Sequence, residues 1–203
     1  MKYNLVSTYQ ASVNILNLYN QATIGELQAG MAWYYLANNS ARQLQQVYDF
    51  TMPQICGVIA ALSPRNKWYR NLQDCSNLLS CIRGESNIED YKCGTFTSNK
   101  IKARLILATP NTTHEQVLSI LGGNKVRSFY SNILEPSNPN YLTVDGHALG
   151  CYQGVKLRGC TPSNKDYQTI TDTYSHLAID KIGILPNQLQ AINWLTYKRL
   201  HNC

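Results

Sequence analysis

Lys125 and Asp145 are the residues of this chain whose types and settings could carry covalent or electrostatic chemistry. Lys125 stands in Leu118-Ser-Ile-Leu-Gly-Gly-Asn-Lys-Val-Arg-Ser-Phe-Tyr130, which reads as a helix, a Gly122-Gly123 turn and a second helix opening at Asn124. Glycines permit φ > 0 and close backbone approach. The unpaired N–H groups that open the next helix point outward and attract anions. With Lys125 and Arg127 beside them, the natural anion is a nucleic-acid phosphate, the alternative being a helical hairpin with solvated charges. A lysine amine can also attack an aldehyde and form a Schiff base. Asp145 lies 20 residues further on, in Thr143-Val-Asp-Gly-His147. A carboxylate that ends an apolar extended stretch just before a helix is held rigidly. It can cap that helix, and it can also stabilise developing positive charge or activate water.

The elements that must position these residues are helical, because the apolar spacing is mainly of period 3.6. Thr23-Ile-Gly-Glu26 is a capping-box pattern opening a helix through Met31, Trp33 and Leu36. A second helix is expected over Met52–Leu62, stopped before Pro64. Ser98 is expected to cap a third, with Ile101, Leu105 and Ala108 on its inner face. Thr113-His-Glu-Gln116 caps the helix before the glycine turn, and Val126, Phe129, Tyr130 and Ile133 line the one after it. Tyr141-Leu-Thr-Val-Asp145 is the one convincing extended stretch. Thr161-Pro162 is expected to start another helix, and Pro186 the last, with Leu189, Ile192 and Leu195 inward. The fold class predicted is all-α.

The chain has 203 residues, 44% of them hydrophobic, enough to bury a core in one domain or two small lobes. Its formal charge of +6 is placed unevenly: residues 65–127 carry ten Lys and Arg against five Asp and Glu. Such mid-chain basicity suits a phosphate-binding face. No apolar run approaches the length of a membrane span, and the first 19 residues, broken by three asparagines, lack the apolar core of a signal peptide. The seven cysteines (Cys56, Cys75, Cys81, Cys93, Cys151, Cys160, Cys203) match no metal-ligand spacing and read as reduced thiols. No metal and no cofactor are expected.

Hairpin, lysine, a gap of about 20 residues and then Val-Asp-x-His resemble the helix-hairpin-helix DNA glycosylase superfamily, which includes endonuclease III and 8-oxoguanine glycosylase. Two upstream segments resemble it in the same order. Val58-Ile-Ala-Ala-Leu-Ser-Pro-Arg-Asn-Lys-Trp68 is similar to its apolar helix ending in Leu-Ser and a DNA-reaching loop. Gly94-Thr-Phe-Thr-Ser-Asn-Lys-Ile-Lys-Ala-Arg104 is similar to its Gly–aromatic–Ser–Lys–Ala helix start. The resemblance covers roughly residues 50–150.

It implies that Asp145 is the family's catalytic carboxylate and that Lys125 is the lysine with which lyase-competent members attack the sugar. It implies that Arg65 and Asn66 fill the hole left by an extruded base, with Lys67, Ser98, Lys100, Gly122, Gly123, Asn124, Arg127 and His147 on the DNA. Base flipping then delivers the target to a pocket for which Trp33, Tyr34, Tyr35 and Tyr152 are the stacking candidates, although aromatics at helical spacing also read as core. The implied architecture is two-lobed, with a barrel over residues 44–140, a second lobe from 1–43 and 141–203, and Lys125 facing Asp145 across a cleft. The hairpin is shorter than the usual Leu-Pro-Gly-x-Gly, and the C-terminal four-cysteine iron–sulfur pattern is absent. These departures suggest a compact, divergent member from a phage or phage-defence setting. Its target could be a hypermodified base such as glucosylated hydroxymethylcytosine. The expected protein is a monomer in the cytoplasm of a prokaryotic or phage-infected cell, with double-stranded DNA as partner. The rival reading is a non-catalytic helix-hairpin-helix module that binds modified or branched DNA.

Overall fold

Helices account for the regular structure of the chain, and no strand occurs among the described residues. The computed structural model describes residues 3–84, 91–157 and 160–202, so that Cys203 lies outside them. The order is α1 (Thr8–Asn20), α2 (Ile24–Tyr48), α3 (Met52–Leu62), α4 (Trp68–Ile82), α5 (Thr97–Ala108), α6 (His114–Ile120), α7 (Asn124–Leu134), α8 (Gly146–Gln153), α9 (Asn164–His176), a π-helical turn (Leu177–Ile182) and α10 (Pro186–His201). Two compact units result, one of Leu36–Glu135 and one of Met1–Tyr35 with Pro136–Cys203. The divisions fall at 35/36, inside α2, and at 135/136, rather than at 43/44 and 140/141.

In the Leu36–Glu135 unit α3 is the hub. Its residues Gln54 to Leu62 are all buried, the pattern of a helix surrounded by partners rather than lying on a surface. It packs against α4, α5, α6 and α7. Thr51 caps it through a capping box with Gln54, and the helix ends at Ser63, ahead of Pro64. Helix α5 turns a different face inward from the one expected. Ala103, Ile106 and Leu107 are buried, while Ile101 is 60% and Leu105 50% exposed. Apolar residues lie all round α5, so packing on α3 chooses the face. Ser98 does not cap this helix: the cap position is Phe96, with no side-chain bond, and Ser98 sits exposed in the first turn. Helix α4, which no apolar period announces, buries Asn71, Asp74, Cys75, Leu78 and Leu79.

In the unit formed by both ends of the chain, the core gathers Ala11, Ile15, Leu142, Val144, Leu149, Tyr152, Ile170, Tyr174, Leu189 and Tyr197. Helices α2 and α10 touch at Gly30, where a Cβ would lie 2.6 Å from the backbone nitrogen of Ile192. Thr23 and Glu26 exchange the reciprocal bonds of the expected capping box. Glu26 also accepts from Arg199 at 2.7 and 3.1 Å, joining the start of α2 to the end of α10. That guanidinium, outweighing desolvation, holds the Glu26 carboxyl down to about 2. Thr161-Pro162 precedes the helix rather than opening it, since Ser163 caps α9.

Tyr141–Asp145 is not a strand. The Tyr167 hydroxyl donates to Leu142 O (2.8 Å) and accepts from Val144 N (3.0 Å), pairing backbone groups that a neighbouring strand would otherwise satisfy.

Candidate functional site

The glycine turn is built from both flanks. Thr113 and Gln116 form a capping box at the start of α6. His114 stacks on Tyr130 of α7 with ring centroids 5.4 Å apart. Leu121, 1% exposed, anchors the turn from below. Gly123 has φ 74, a conformation that side-chain-bearing residues adopt only at a cost, and it is the residue from which α7 starts. Having no side chain, it leaves the first turn of α7 without a cap from that position. Arg127 reaches back from α7, its Nε donating to Leu121 O at 3.0 Å. Lys102 of α5 comes to the same place, and a Cβ on Gly122 would lie 2.6 Å from its Nζ. Lys125 is exposed at the second position of α7. The structure thus gathers Gly122, Gly123, Asn124, Lys125 and Arg127 at one helix start and adds Lys102, which spacing alone did not single out. The far end of α7 is closed by Asn38, whose Nδ2 donates to Ile133 O at 2.8 Å.

The Ser63–Lys67 loop carries Arg65, Asn66 and Lys67. Arg65 is exposed with φ 60, and its guanidinium lies 4.9 Å over the Phe96 ring. Lys67 is exposed. Asn66 behaves differently, because its Nδ2 donates to Asp74 Oδ2 at 2.8 Å. Its amide is therefore engaged within the unit. Asp74 is almost fully buried and also accepts from Arg70 Nε, Cys93 Sγ and Gly94 N. Burial works against the ionised form, but the Cys93, Asn66, Arg70 and Gly94 bonds outweigh it and hold the carboxyl below its ordinary value. The Cys93 thiol is pushed up, first by burial. Lys100 lies half-buried in the first turn of α5.

Asp145 and His147 belong to the other unit. Asp145 caps α8, its Oδ1 accepting from the backbone of His147 and Ala148, both at 3.0 Å. Its Oδ2 lies 3.2 Å from His147 Nδ1. The carboxylate side chain is 19% exposed and the imidazole 39%. The His147 ring meets Tyr197 edge-on at 6.0 Å. With Tyr167 holding the approach and two amides holding Oδ1, Asp145 is a fixed, partly desolvated negative charge. Such a group can stabilise a developing cation.

The aromatic candidates divide. Tyr152 is fully buried and Tyr34 is 5% exposed, its hydroxyl 3.2 Å from Gln190 Oε1, so neither offers a ring face for stacking in this conformation. Tyr35 is 41% exposed. Trp33 is half-buried and edge-on to Trp194 at 6.1 Å, and Lys198 Nζ sits 4.5 Å over the Trp194 ring. Trp194 had no motif to mark it, and Lys198 falls in the Tyr197–His201 tail, which reads in sequence as a solvated helix end.

Among the described residues, the cysteines are free thiols and no three His, Cys, Asp or Glu side chains gather around a common point. No described helix is long and apolar enough to cross a membrane. No curated protein and no solved structure matches the chain. One family model matches residues 1–201, nearly its whole length, and the chain belongs to that family, DUF7178, a family of unknown function.

Proposed function

We propose that the protein is a DNA glycosylase that binds duplex DNA through the α6–α7 turn, flips out a modified or damaged base and excises it. The observation that carries the reading is the turn itself. An α7 start opened by Gly123 at φ 74, with Arg127 on Leu121 O and Lys102 against Gly122, combines backbone donors with fixed cations. That combination suits a phosphate, which takes several donors and a neutralising charge at once. Arg65 and Lys67 are further exposed cations of the same unit. Asp145 is the carboxylate that stabilises positive charge on the sugar as the N-glycosidic bond breaks, held by its amide bonds with no reorganisation needed. Lys125 is the residue that would attack C1′ and give lyase activity. His147 supplies a phosphate contact. The DNA target is a modified base, a glucosylated hydroxymethylcytosine being one candidate.

The second reading is a duplex-binding module without catalysis. It is favoured by the capping geometry of Asp145, since accepting two amides gives this carboxylate a structural role sufficient by itself. Both readings are tested by incubating the protein with duplexes and phage DNAs that carry different modified bases, then splitting each sample between hot alkali and borohydride. Alkali-labile breaks in one substrate are expected for the glycosylase, with a trapped adduct lost in Lys125→Ala if the lyase step operates. Binding across the panel without abasic sites selects the module. In Asp145→Asn, excision is expected to vanish while duplex affinity changes little, and a fully active Asp145→Asn protein overturns the mechanism.

A further inference from the structure

The loop that carries Arg65 and Lys67 is tied to a buried charge that no motif announces. Asp74 projects from α4 with a side chain 1% exposed. Its Oδ2 accepts Asn66 Nδ2 at 2.8 Å from the Ser63–Lys67 loop, and Cys93 Sγ at 3.1 Å and Gly94 N at 3.3 Å from the segment ahead of α5. Its Oδ1 accepts Arg70 Nε at 3.1 Å. The same loop and segment meet again where Thr95 Oγ1 donates to Pro64 O at 3.0 Å and where Arg65 covers Phe96. Asn66 Nδ2 also lies 3.4 Å from Leu62 O, so its amide is turned back onto α3 and α4. Arg65, beside it, takes a left-handed conformation that an arginine adopts only when its surroundings over-determine it.

We infer that Asp74 is a positioning residue for the Ser63–Lys67 loop: by drawing Asn66 inward it forces Arg65 through its left-handed turn and presents Arg65 and Lys67 outward in one conformation. The division of labour within the loop follows. Asn66 is the anchor, and Arg65 and Lys67 are the side chains left to meet a ligand. A desolvated carboxylate suits this task because hydrogen bonds to a charged acceptor are about twice as strong as neutral ones, and several donors converge on it. The inference rests on the reading of this loop as the part that reaches DNA.

The test uses the full chain in two variants. Asp74→Asn removes the charge at nearly constant volume. Asn66→Ala removes only the loop end of the clamp, from a half-buried site, and keeps the question answerable if Asp74→Asn fails to fold. Native-state trypsin reads the loop directly, through nicking after Arg65 and Lys67, with nicking after Lys165 in the other unit as the internal standard. Loss of a charge-assisted bond should speed nicking after Arg65 and Lys67 about tenfold, with Lys165 unchanged. On a cleavable duplex, the single-turnover excision rate should fall about tenfold while the dissociation constant moves less than about threefold, as expected when positioning is impaired and the binding groups remain. Nicking of the loop at the wild-type rate in Asn66→Ala, or acceleration at all three sites together, overturns the inference. A wild-type protein that excises nothing overturns the proposed activity instead, and the nicking ratio then decides the role of Asp74.

Discussion

Arg65 holds the least comfortable backbone of the candidate site, and its conformation separates stability from function. Replacing it by glycine removes the left-handed penalty, and Arg65→Gly should raise stability by about 1 kcal/mol in urea melts while weakening duplex binding. The opposite holds at the turn. Gly123→Ala places a Cβ at φ 74 and ψ 144, a backbone region close to glycine-only, and should lower stability by about 1–3 kcal/mol, with binding falling alongside because α7 starts there. Residue type and spacing single out Lys125, Arg127 and Asp145 in the sequence, and the family resemblance adds His147. Neither marks Asp74. An aspartate in the middle of a polar stretch looks solvated in sequence, and only the convergence of Asn66, Cys93, Gly94 and Arg70 on it reveals a buried anchor.

At the level of elements, helix starts were readable at capping boxes, whereas the single serine caps of α1 (Ser7) and α9 (Ser163) gave no such signal. Thr23, Thr51 and Thr113 each exchange capping-box bonds with a Glu or Gln three residues on. Helix α4 was hidden because its inner stripe includes Asn71 and Asp74, polar residues that interrupt the apolar period. Helix α5 offered two apolar stripes, and packing against α3 selected the one holding Ile106 and Leu107. The clamp between α2 and α10 makes a pH-dependent prediction. Glu26 is held down to about 2 in the folded chain, first by Arg199, against about 4.3 unfolded. A depressed carboxyl stabilises fully above its unfolded value and loses that contribution as pH falls through the folded one. Stability should therefore fall between about pH 4 and pH 2, and Glu26→Gln should flatten that part of a melting-temperature profile. Asp74, also depressed, adds to the loss in the same direction. A wild-type profile flat down to about pH 2 would contradict both assignments.

For the molecule as a whole, charge is distributed between two units with different balances. Leu36–Glu135 contains eleven Lys and Arg against seven Asp and Glu, while the rest of the chain has seven against five. Duplex affinity should accordingly weaken steeply with salt. Removing one cation that neutralises a phosphate should lower the slope of log K against log salt by about 0.9, so Lys102→Ala and Arg127→Ala should each do so. Lys165→Ala, in the other unit, should leave the slope unchanged. Fluorescence-anisotropy titrations across a salt series make the comparison, and a slope insensitive to Lys102 and Arg127 would remove the turn from the interface.

The amino-acid sequence by itself determined the helical class, the capping-box helix starts, the glycine turn and the rigid carboxylate before α8, since each depends on residues within a few positions of one another. Tertiary structure alone decided what distant residues do for those elements. It gave the extended Tyr141–Asp145 stretch the Tyr167 hydroxyl as its backbone partner, brought Lys102 of α5 to Gly122, put Tyr34 and Tyr152 into the core, and turned Asn66 from a reaching side chain into an anchor on Asp74. The physical reason is common to these cases. Local capping and turn geometry are encoded in adjacent side chains, whereas burial and hydrogen-bond partnership are properties of the space that separate segments create together.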